Sequence, residues 1–505
     1  MGDASLMSRI QVAFDQFATK AAIDVEGRSY TYAEMHRHAL KLMNYVAETS
    51  QQKLFLLSTR KTFGAYVSVL GAMQQGYTYV PVNPDLPIER VESIINSARA
   101  TIIIVGEADS RWAEDLTARG LIACAIVVKS PTDGTNEIDT ALIAASDVKG
   151  PVSPIFSDDL KNPIAYIMFT SGTTGTPKGI PIRHSNLMAY LRAIEPIVAL
   201  SCDDRCSQIF DLSFDLSVHD CLVTWSSGAC LCIPAKSDLF QLARYIKRYA
   251  ITVLFCVPSA IRQILQGCAR EEQALRSLRL SLFCGEALTV QDALSWLSAT
   301  PKGRYLNLYG PTEATIAIST FEIFEHSLRS MAFLTVPIGE PIGDAVFELL
   351  ELQDGGQELW IRGEQVFEGY LDASLNEGSL LEVKEVGRSY RTGDLVISDD
   401  LYGYVFKGRR DGQVKINGYR IELLDLETTL ERCLKDVIVY VLVENDQAGS
   451  FIHVYAYGPG LTEDALRSAC AEHLPRYMWP KSFSVLDRPY LNSNGKKDRK
   501  SVLNK

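Results

Sequence analysis

The sequence predicts an α/β protein of more than one domain. Short β-rich runs alternate with helical patterns from Gln11 to about Val128, which is the rhythm of βαβ units and a parallel sheet. At 505 residues the chain exceeds a single ordinary core, and 47% hydrophobic content is ample to bury two or three. After Phe347 the rhythm changes to hairpin-like pieces, so the C-terminal part is expected to be built differently.

Taken in order, Tyr30-Thr-Tyr-Ala-Glu34 reads as a helix opening, and Lys53-Leu-Phe-Leu-Leu-Ser58 and Thr101-Ile-Ile-Ile-Val105 read as buried strands. Between them Gly76-Tyr-Thr-Tyr-Val-Pro-Val-Asn-Pro-Asp85 is a strand closed by a proline turn. Ser130 to Asp158 is polar and expected to be a peripheral loop. Further strands are expected at Thr252–Cys256, Leu280–Cys284 and Arg304–Leu308, each ending where a motif-like loop begins; the carboxyl edge of an α/β sheet is where ligands sit. Gly355-Gly356 reads as a turn leading into a strand at Glu358–Arg362. A last unit after Gly408-Arg-Arg-Asp411 carries a helix near Leu423–Cys433, a strand near Val437–Val443 and a helix near Glu463–His473. No internal repeat or low-complexity segment occurs.

Composition excludes several classes. A net charge of −11 leaves no basic surplus for nucleic acid or an anionic membrane as a main partner. The eleven cysteines are scattered without paired zinc spacing; Cys202/Cys206 and Cys230/Cys232 are close pairs with no second half, so reduced thiols are expected. No stretch approaches 18 apolar residues and the N-terminus lacks a basic start followed by an apolar run, so a cytoplasmic protein without membrane insertion is expected.

The densest chemical signal is Tyr166-Ile-Met-Phe-Thr-Ser-Gly-Thr-Thr-Gly-Thr-Pro-Lys-Gly179, an apolar strand running into hydroxyls, glycines and one lysine. Gly172, Gly175 and Gly179 let backbone N–H groups approach an anion; Ser171, Thr173, Thr174 and Thr176 add donors, and Lys178 adds a positive charge. The spacing is not G-x-x-x-x-G-K-[ST], which argues against kinase or GTPase chemistry. Downstream, Asn307-Leu-Tyr-Gly-Pro-Thr-Glu313 offers a ring at Tyr309 to stack on a base, a hydroxyl at Thr312 for phosphate and a carboxylate at Glu313 for Mg²⁺. Asp394, closing Tyr390-Arg-Thr-Gly-Asp394, suits two ribose hydroxyls. Gly408 to Glu422 is glycine-punctuated and charged, as an interdomain hinge or an exposed hairpin would be.

These motifs, with Gly76–Val82, Gly363-Glu-Gln-Val-Phe-Glu-Gly-Tyr370, Leu474-Pro-Arg-Tyr-Met-Trp-Pro480 and Asn494-Gly-Lys-Lys-Asp-Arg499, resemble the adenylate-forming superfamily across nearly the whole chain. The likeness is specifically to amino-acid adenylation enzymes of nonribosomal peptide assembly and to D-alanine:carrier-protein ligases. The resemblance implies a large multi-subdomain N-terminal domain, 1–409, with mixed sheets packed by helices, and a small mobile α+β C-terminal domain, 410–505. It implies ATP and Mg²⁺ as the chemical partners of the site. Thr170, Ser171, Gly172, Thr173, Thr174, Gly175 and Lys178 would grip the β/γ-phosphates; Thr312 and Glu313 would handle the α-phosphate and Mg²⁺. Asn307, Tyr309 and Gly310 would border the nucleotide, Asp394 would take the ribose with help from Arg409, Lys496 would bridge carboxylate and phosphate, and Asp411 would be the hinge. The bland reading of Lys496, Lys497, Arg499 and Lys500 is a solvated basic tail.

The pattern Phe-Asp-x-Ser occurs twice in Phe210-Asp-Leu-Ser-Phe-Asp-Leu-Ser-Val-His-Asp220. The second copy precedes an apolar, helix-like run through Trp225, which favours Asp215 over Asp211 as the partner of an α-ammonium. By the same resemblance Leu216, His219, Phe255, Leu282, Cys284, Gly285, Leu308, Gly310, Ile316 and Ala317 line the substrate pocket. No charged partner for a charged side chain is among them and several are bulky, so a small neutral amino acid is expected: alanine of either hand first, then serine, glycine or proline. His219 either donates to a small polar substrate or simply packs at the pocket edge. His219 and Leu308 depart from a typical D-alanine ligase, which makes a loading enzyme for a natural-product pathway equally credible. The acceptor is expected to be a separate phosphopantetheinylated carrier protein, with coenzyme A as the alternative. An acyl- or aryl-CoA ligase and a non-catalytic nucleotide-binding scaffold are the competing readings.

Overall fold

The computed structural model describes residues 5–131, 138–144, 163–170, 177–268, 271, 273–353, 355–383, 387–410, 413–434, 436–446, 449–490, 497 and 499–503. The chain divides into two compact units, the first comprising Met1–Pro84, Ile94–Phe169 and Gly179–Gly408, the second Asp85–Ser93, Thr170–Lys178 and Arg409–Lys505.

The first unit is built on three sheets. A seven-stranded sheet runs in the spatial order Asp139–Ala144, Cys124–Lys129, Ile102–Gly106, Leu54–Ser58, Thr78–Val82, Ile164–Thr170 and Lys178–Arg183. Its centre is parallel, as the βαβ rhythm requires, with Leu56 opposite both Val80 and Ile103. Asp139–Ala144 corrects the expectation of a loop from Ser130 to Asp158: it pairs antiparallel with Cys124–Lys129 along its full length. At the sheet edge it exposes Leu142, so its weak alternation was easily read as loop.

Helices are set by their caps. Thr31 and Glu34 form a reciprocal capping box that starts Tyr32–Thr49 two residues into the expected opening. Thr62 caps Phe63–Gln75, and Gly76 ends it in the left-handed conformation at φ +68°. Phe63–Gln75 is buried along nearly its whole length, consistent with apolar residues all round it.

The nine-stranded sheet carries most of the motif-bearing strand ends. Its order is Glu340–Pro341, Ser319–Glu322, Arg304–Tyr309, Leu280–Phe283, Val253–Cys256, Arg205–Ser207, Cys230–Ile233, Ala21–Val25 and Arg28–Thr31. The three strands expected from sequence lie side by side and parallel, with Phe255 opposite Leu282 and Leu282 opposite Leu306. Their carboxyl ends therefore open onto one edge. A third sheet holds the hairpin Val346–Glu351 with Gln357–Arg362, the long strand Gly387–Asp399, Leu380–Val383 and Gly403–Arg409.

The second unit has its own core, in which Leu426 and Leu430 of helix Leu423–Cys433 pack with Val439, Val441, Val454 and Leu466. Its three-stranded sheet joins Ile438–Asp446, Gly449–Tyr457 and Ser482–Val485. The expected helix Glu463–His473 is present, capped by Thr462. Lys497 and Arg499 do not form a solvated tail. Both pair with the fully buried Glu427, at 3.2 and 2.8 Å, and Lys497 also reaches Glu431 at 2.6 Å. A buried carboxylate needs such partners.

Candidate active site

The two copies of Phe-Asp-x-Ser fold into different environments. Asp211 is occupied locally: its Oδ1 accepts from the backbone N and Oγ of Ser213 at 2.9 and 2.6 Å, closing an Asx turn. Asp215 instead sits at the N-cap of helix Leu216–Ser226 without making a side-chain cap hydrogen bond, and is only 8% exposed. Its backbone carbonyl accepts from Val218 and His219. Burial pushes the phenols of Tyr79, Tyr166 and Tyr190 well up, and Asp215 close by pushes each of them further. These phenols therefore stay neutral.

The pocket residues expected from sequence are brought onto shared elements. Leu216 and His219 lie on the helix that Asp215 heads. Phe255, Leu282 and Leu308 lie on the neighbouring parallel strands, and Cys284 follows the second of them, before Gly285 at φ +91°. Ile316 and Ala317 follow the turn Thr312–Ala314. All these side chains are buried. The His219 ring meets Phe255 edge-on at 4.6 Å, and its Nδ1 lies 2.5 Å from the hydroxyl of Tyr190. Burial lowers the His219 pKa to about 3, so the imidazole is neutral. Of the two readings of His219, packing at an edge describes its surroundings better, with one nitrogen already engaged by a tyrosine.

Tyr190 was missed in the sequence. It sits in the middle of helix His184–Val198, where a buried aromatic looks like ordinary core. Its hydroxyl lies against Nδ1 of His219, one of the expected pocket residues.

On the nucleotide side, Tyr309 donates its hydroxyl to Asp394 Oδ2 at 2.5 Å, uniting two motifs distant in sequence. Asp394 is buried, and its backbone N donates to Thr392 Oγ1. The Asn307 amide donates to the carbonyl of Pro337 at 2.8 Å, so its side chain fastens the strand to the following loop. Gly310 is pressed against the backbone of Ile316 and Ala317, where a Cβ would come within 2.7 Å. Thr312 opens the short turn that holds Glu313. Glu313 is fully buried and accepts from the Tyr370 hydroxyl at 2.8 Å.

Thr170 ends its strand and Lys178 begins the next. Within the second unit Lys178 lies 3.5 Å from Glu422. Arg409, half-buried, ends the strand Gly403–Arg409. Ser171, Gly172, Thr173, Thr174, Gly175, Asp411 and Lys496 lie outside the described residues.

Among the described residues no three His, Cys, Asp or Glu groups converge as a metal cage. A single carboxylate such as Glu313 fits Mg²⁺, a hard cation that takes one or two protein carboxylates and its remaining oxygens from phosphates and water. Among the described residues no helix is long and apolar enough to cross a membrane.

Comparison with known proteins agrees with this architecture. The model of the AMP-binding enzyme family matches residues 10–371. The D-alanine--D-alanyl carrier protein ligase of Staphylococcus epidermidis is 28% identical over 94% of this chain and 93% of its own. Surfactin synthase subunit 1 of Bacillus subtilis is also 28% identical, over 95% of this chain, which spans 13% of that much longer protein. Among solved structures, the Vibrio cholerae adenylation domain AlmE in complex with glycyl-adenosine-5'-phosphate superposes with a TM-score of 0.83 at 27% identity, covering 100% of this chain and 98% of that one.

Proposed function

The chain belongs to the AMP-binding enzyme family, and we propose that it adenylates a small neutral amino acid with ATP, releasing pyrophosphate, and then passes the aminoacyl group to the phosphopantetheine thiol of a separate carrier protein. Alanine of either hand leads, with serine, glycine or proline next. The relatives support this reading: one is a ligase named for D-alanine and its carrier protein, and one solved neighbour holds a glycyl adenylate.

The observation that carries the proposal is Asp215, a buried carboxylate at the head of the helix that carries Leu216 and His219. An ammonium taken out of water needs such a partner, whereas a fatty or aryl acid has nothing to offer it. In the proposed reaction the substrate carboxylate attacks the α-phosphorus. The protein's task is to hold the two in line and to meet the spreading negative charge. Asp215 fixes the ammonium end, while Phe255, Leu282, Leu308 and the His219 ring limit side-chain size. Asp394 takes the ribose hydroxyls, with the Tyr309 hydroxyl orienting it. Thr170 to Lys178, Thr312, Arg409 and Lys496 supply the phosphate contacts. Glu313 would hold Mg²⁺, which when bound neutralises phosphate charge. Residues 1–409 would form the adenylation domain and 410–505 the domain that delivers Lys496, with Asp411 at the hinge.

The test is transfer itself. The protein is incubated with ATP, Mg²⁺, alanine and either a phosphopantetheinylated carrier protein or coenzyme A. Intact mass should rise by one aminoacyl group on the carrier. Thioester on coenzyme A alone would refute the carrier assignment.

A further inference from the structure

The turn that presents Glu313 is strained, and one neighbouring segment holds it. Thr315 and Ile316 follow it at φ +55° and +71°. Consecutive non-glycine residues in the left-handed region are costly, and a β-branched isoleucine there is a true outlier. Such backbone persists only where its surroundings over-determine it.

The segment Gln365–Tyr370 supplies that constraint. Thr315 Oγ1 donates to the Gln365 carbonyl at 2.5 Å, and Phe367 N donates to the Glu313 carbonyl at 2.8 Å. The Gln365 side-chain amide donates to the Ala317 carbonyl at 2.8 Å and lies 3.4 Å from the carbonyls of Ala314 and Thr315. Tyr370 donates its hydroxyl to Glu313 Oε1 at 2.8 Å. The segment is itself pinned on both sides. Asn186 donates to the carbonyls of Glu364 and Val366 at 2.7 and 3.2 Å, and Tyr370 N donates to Asn376 at 2.9 Å. Gln365 and Glu313 are both buried, at 1% and 0% exposure.

We propose that Gln365 and Tyr370 are positioning residues that hold the Glu313 carboxylate and the 312–317 turn in the geometry used for the Mg²⁺-bound nucleotide. The assignment rests on the function proposed above. Two of the four links use only the backbone of this segment, so they do not depend on its side chains. The Gln365 amide and the Tyr370 hydroxyl are specific to their side chains, and a partner that orients a metal-holding carboxylate ordinarily accounts for about 10–100-fold in metal affinity or activity.

Tyr370→Phe removes one hydroxyl; Gln365→Met removes the amide while keeping its length. Each is compared with the unaltered protein in amino-acid-dependent pyrophosphate exchange across a Mg²⁺ titration. Thermal unfolding is measured alone, with ATP plus EDTA and with ATP plus Mg²⁺. For Tyr370→Phe the half-saturating Mg²⁺ concentration should rise roughly tenfold or more, and the Mg²⁺-dependent part of the ATP-induced rise in Tm should shrink. For Gln365→Met, kcat should fall roughly tenfold while KM for the amino acid stays within about twofold, the pattern of an interaction used in the transition state. A lowered Tm of the protein alone with unchanged Mg²⁺ half-saturation and unchanged Mg²⁺-dependent Tm rise would overturn the assignment, leaving the segment as fold support. If the unaltered protein shows no exchange, the functional reading fails instead. The thermal arm, which needs no turnover, then decides the strap alone.

Discussion

Replacing Asp215 by Asn keeps the shape of the side chain and removes its charge. The carboxylate is 8% exposed, so an ammonium paired with it is largely out of water. Losing one partner of such a pair typically costs about 3–5 kcal/mol. At about 1.4 kcal/mol per power of ten, kcat/KM for the amino acid should fall roughly 140- to 3,700-fold. The fold should tolerate the change: Asn caps helices as well as Asp does, Asp215 makes no side-chain cap bond, and the charge contributes only about 0.3–1 kcal/mol through the helix dipole. Pyrophosphate exchange with separate titrations of amino acid and ATP reads the effect, and KM for ATP should stay within about twofold. Asp211→Asn is the internal control, because Asp211 Oδ1 is held by Ser213 and its Oδ2 accepts from Thr59 and Asn83. An undiminished kcat/KM in Asp215→Asn, with a large loss in Asp211→Asn, would show the wrong aspartate has been assigned.

Three further outcomes are expected. Asp394→Ala should raise KM for ATP roughly 10- to 150-fold, the worth of hydrogen bonds to a charged acceptor, and abolish discrimination against 2'-deoxy-ATP; retained discrimination would remove Asp394 from the ribose site. Lys496→Ala should eliminate adenylate formation while sparing thioester formation from supplied adenylate, and equal loss of both would contradict its role. His184 is buried, neither ring nitrogen has a hydrogen-bond partner among the described residues, and burial lowers its pKa to about 4 from the ordinary 6.5. Below pH 6.5 the unfolded chain therefore binds a proton that the folded one refuses, so stability is lost as pH falls towards 4, by up to about 1.4 kcal/mol per pH unit. His184→Leu should flatten the decline in urea-unfolding stability between pH 6.5 and 5.5 by roughly 1 kcal/mol; an identical slope would mean His184 titrates normally.

The sequence was most legible in the strands whose ends carry the motifs. The strands ending at Cys256, Phe283 and Tyr309 and the turn after Pro311 were legible, because apolar runs broken by glycine and proline have few other readings. The duplicated Phe-Asp-x-Ser was ambiguous in one dimension. Folding separates the copies by local hydrogen bonding, with Ser213 closing on Asp211 and the helix beginning after Asp215. What stayed hidden are residues whose part depends on distant neighbours. Tyr190 reads as core until His219 is seen against it, and Gln365 reads as a polar loop residue until its amide is found on the carbonyls of another turn. The basic run near the C-terminus could be read as solvated because its partner, Glu427, lies 70 residues before Lys497 and is fully buried. The edge strand Asp139–Ala144 was invisible for the opposite reason: it buries too little to leave a pattern.

Under the proposed function, this AMP-binding enzyme activates a small amino acid through its ammonium as well as its carboxylate. The most direct test is pyrophosphate exchange by the unaltered protein across the twenty L-amino acids, D-alanine, D-serine, propionate and benzoate. Exchange confined to small neutral amino acids, led by alanine, and absent with propionate is the expected result. Exchange driven by propionate or benzoate with none from any amino acid would contradict recognition of an ammonium by Asp215.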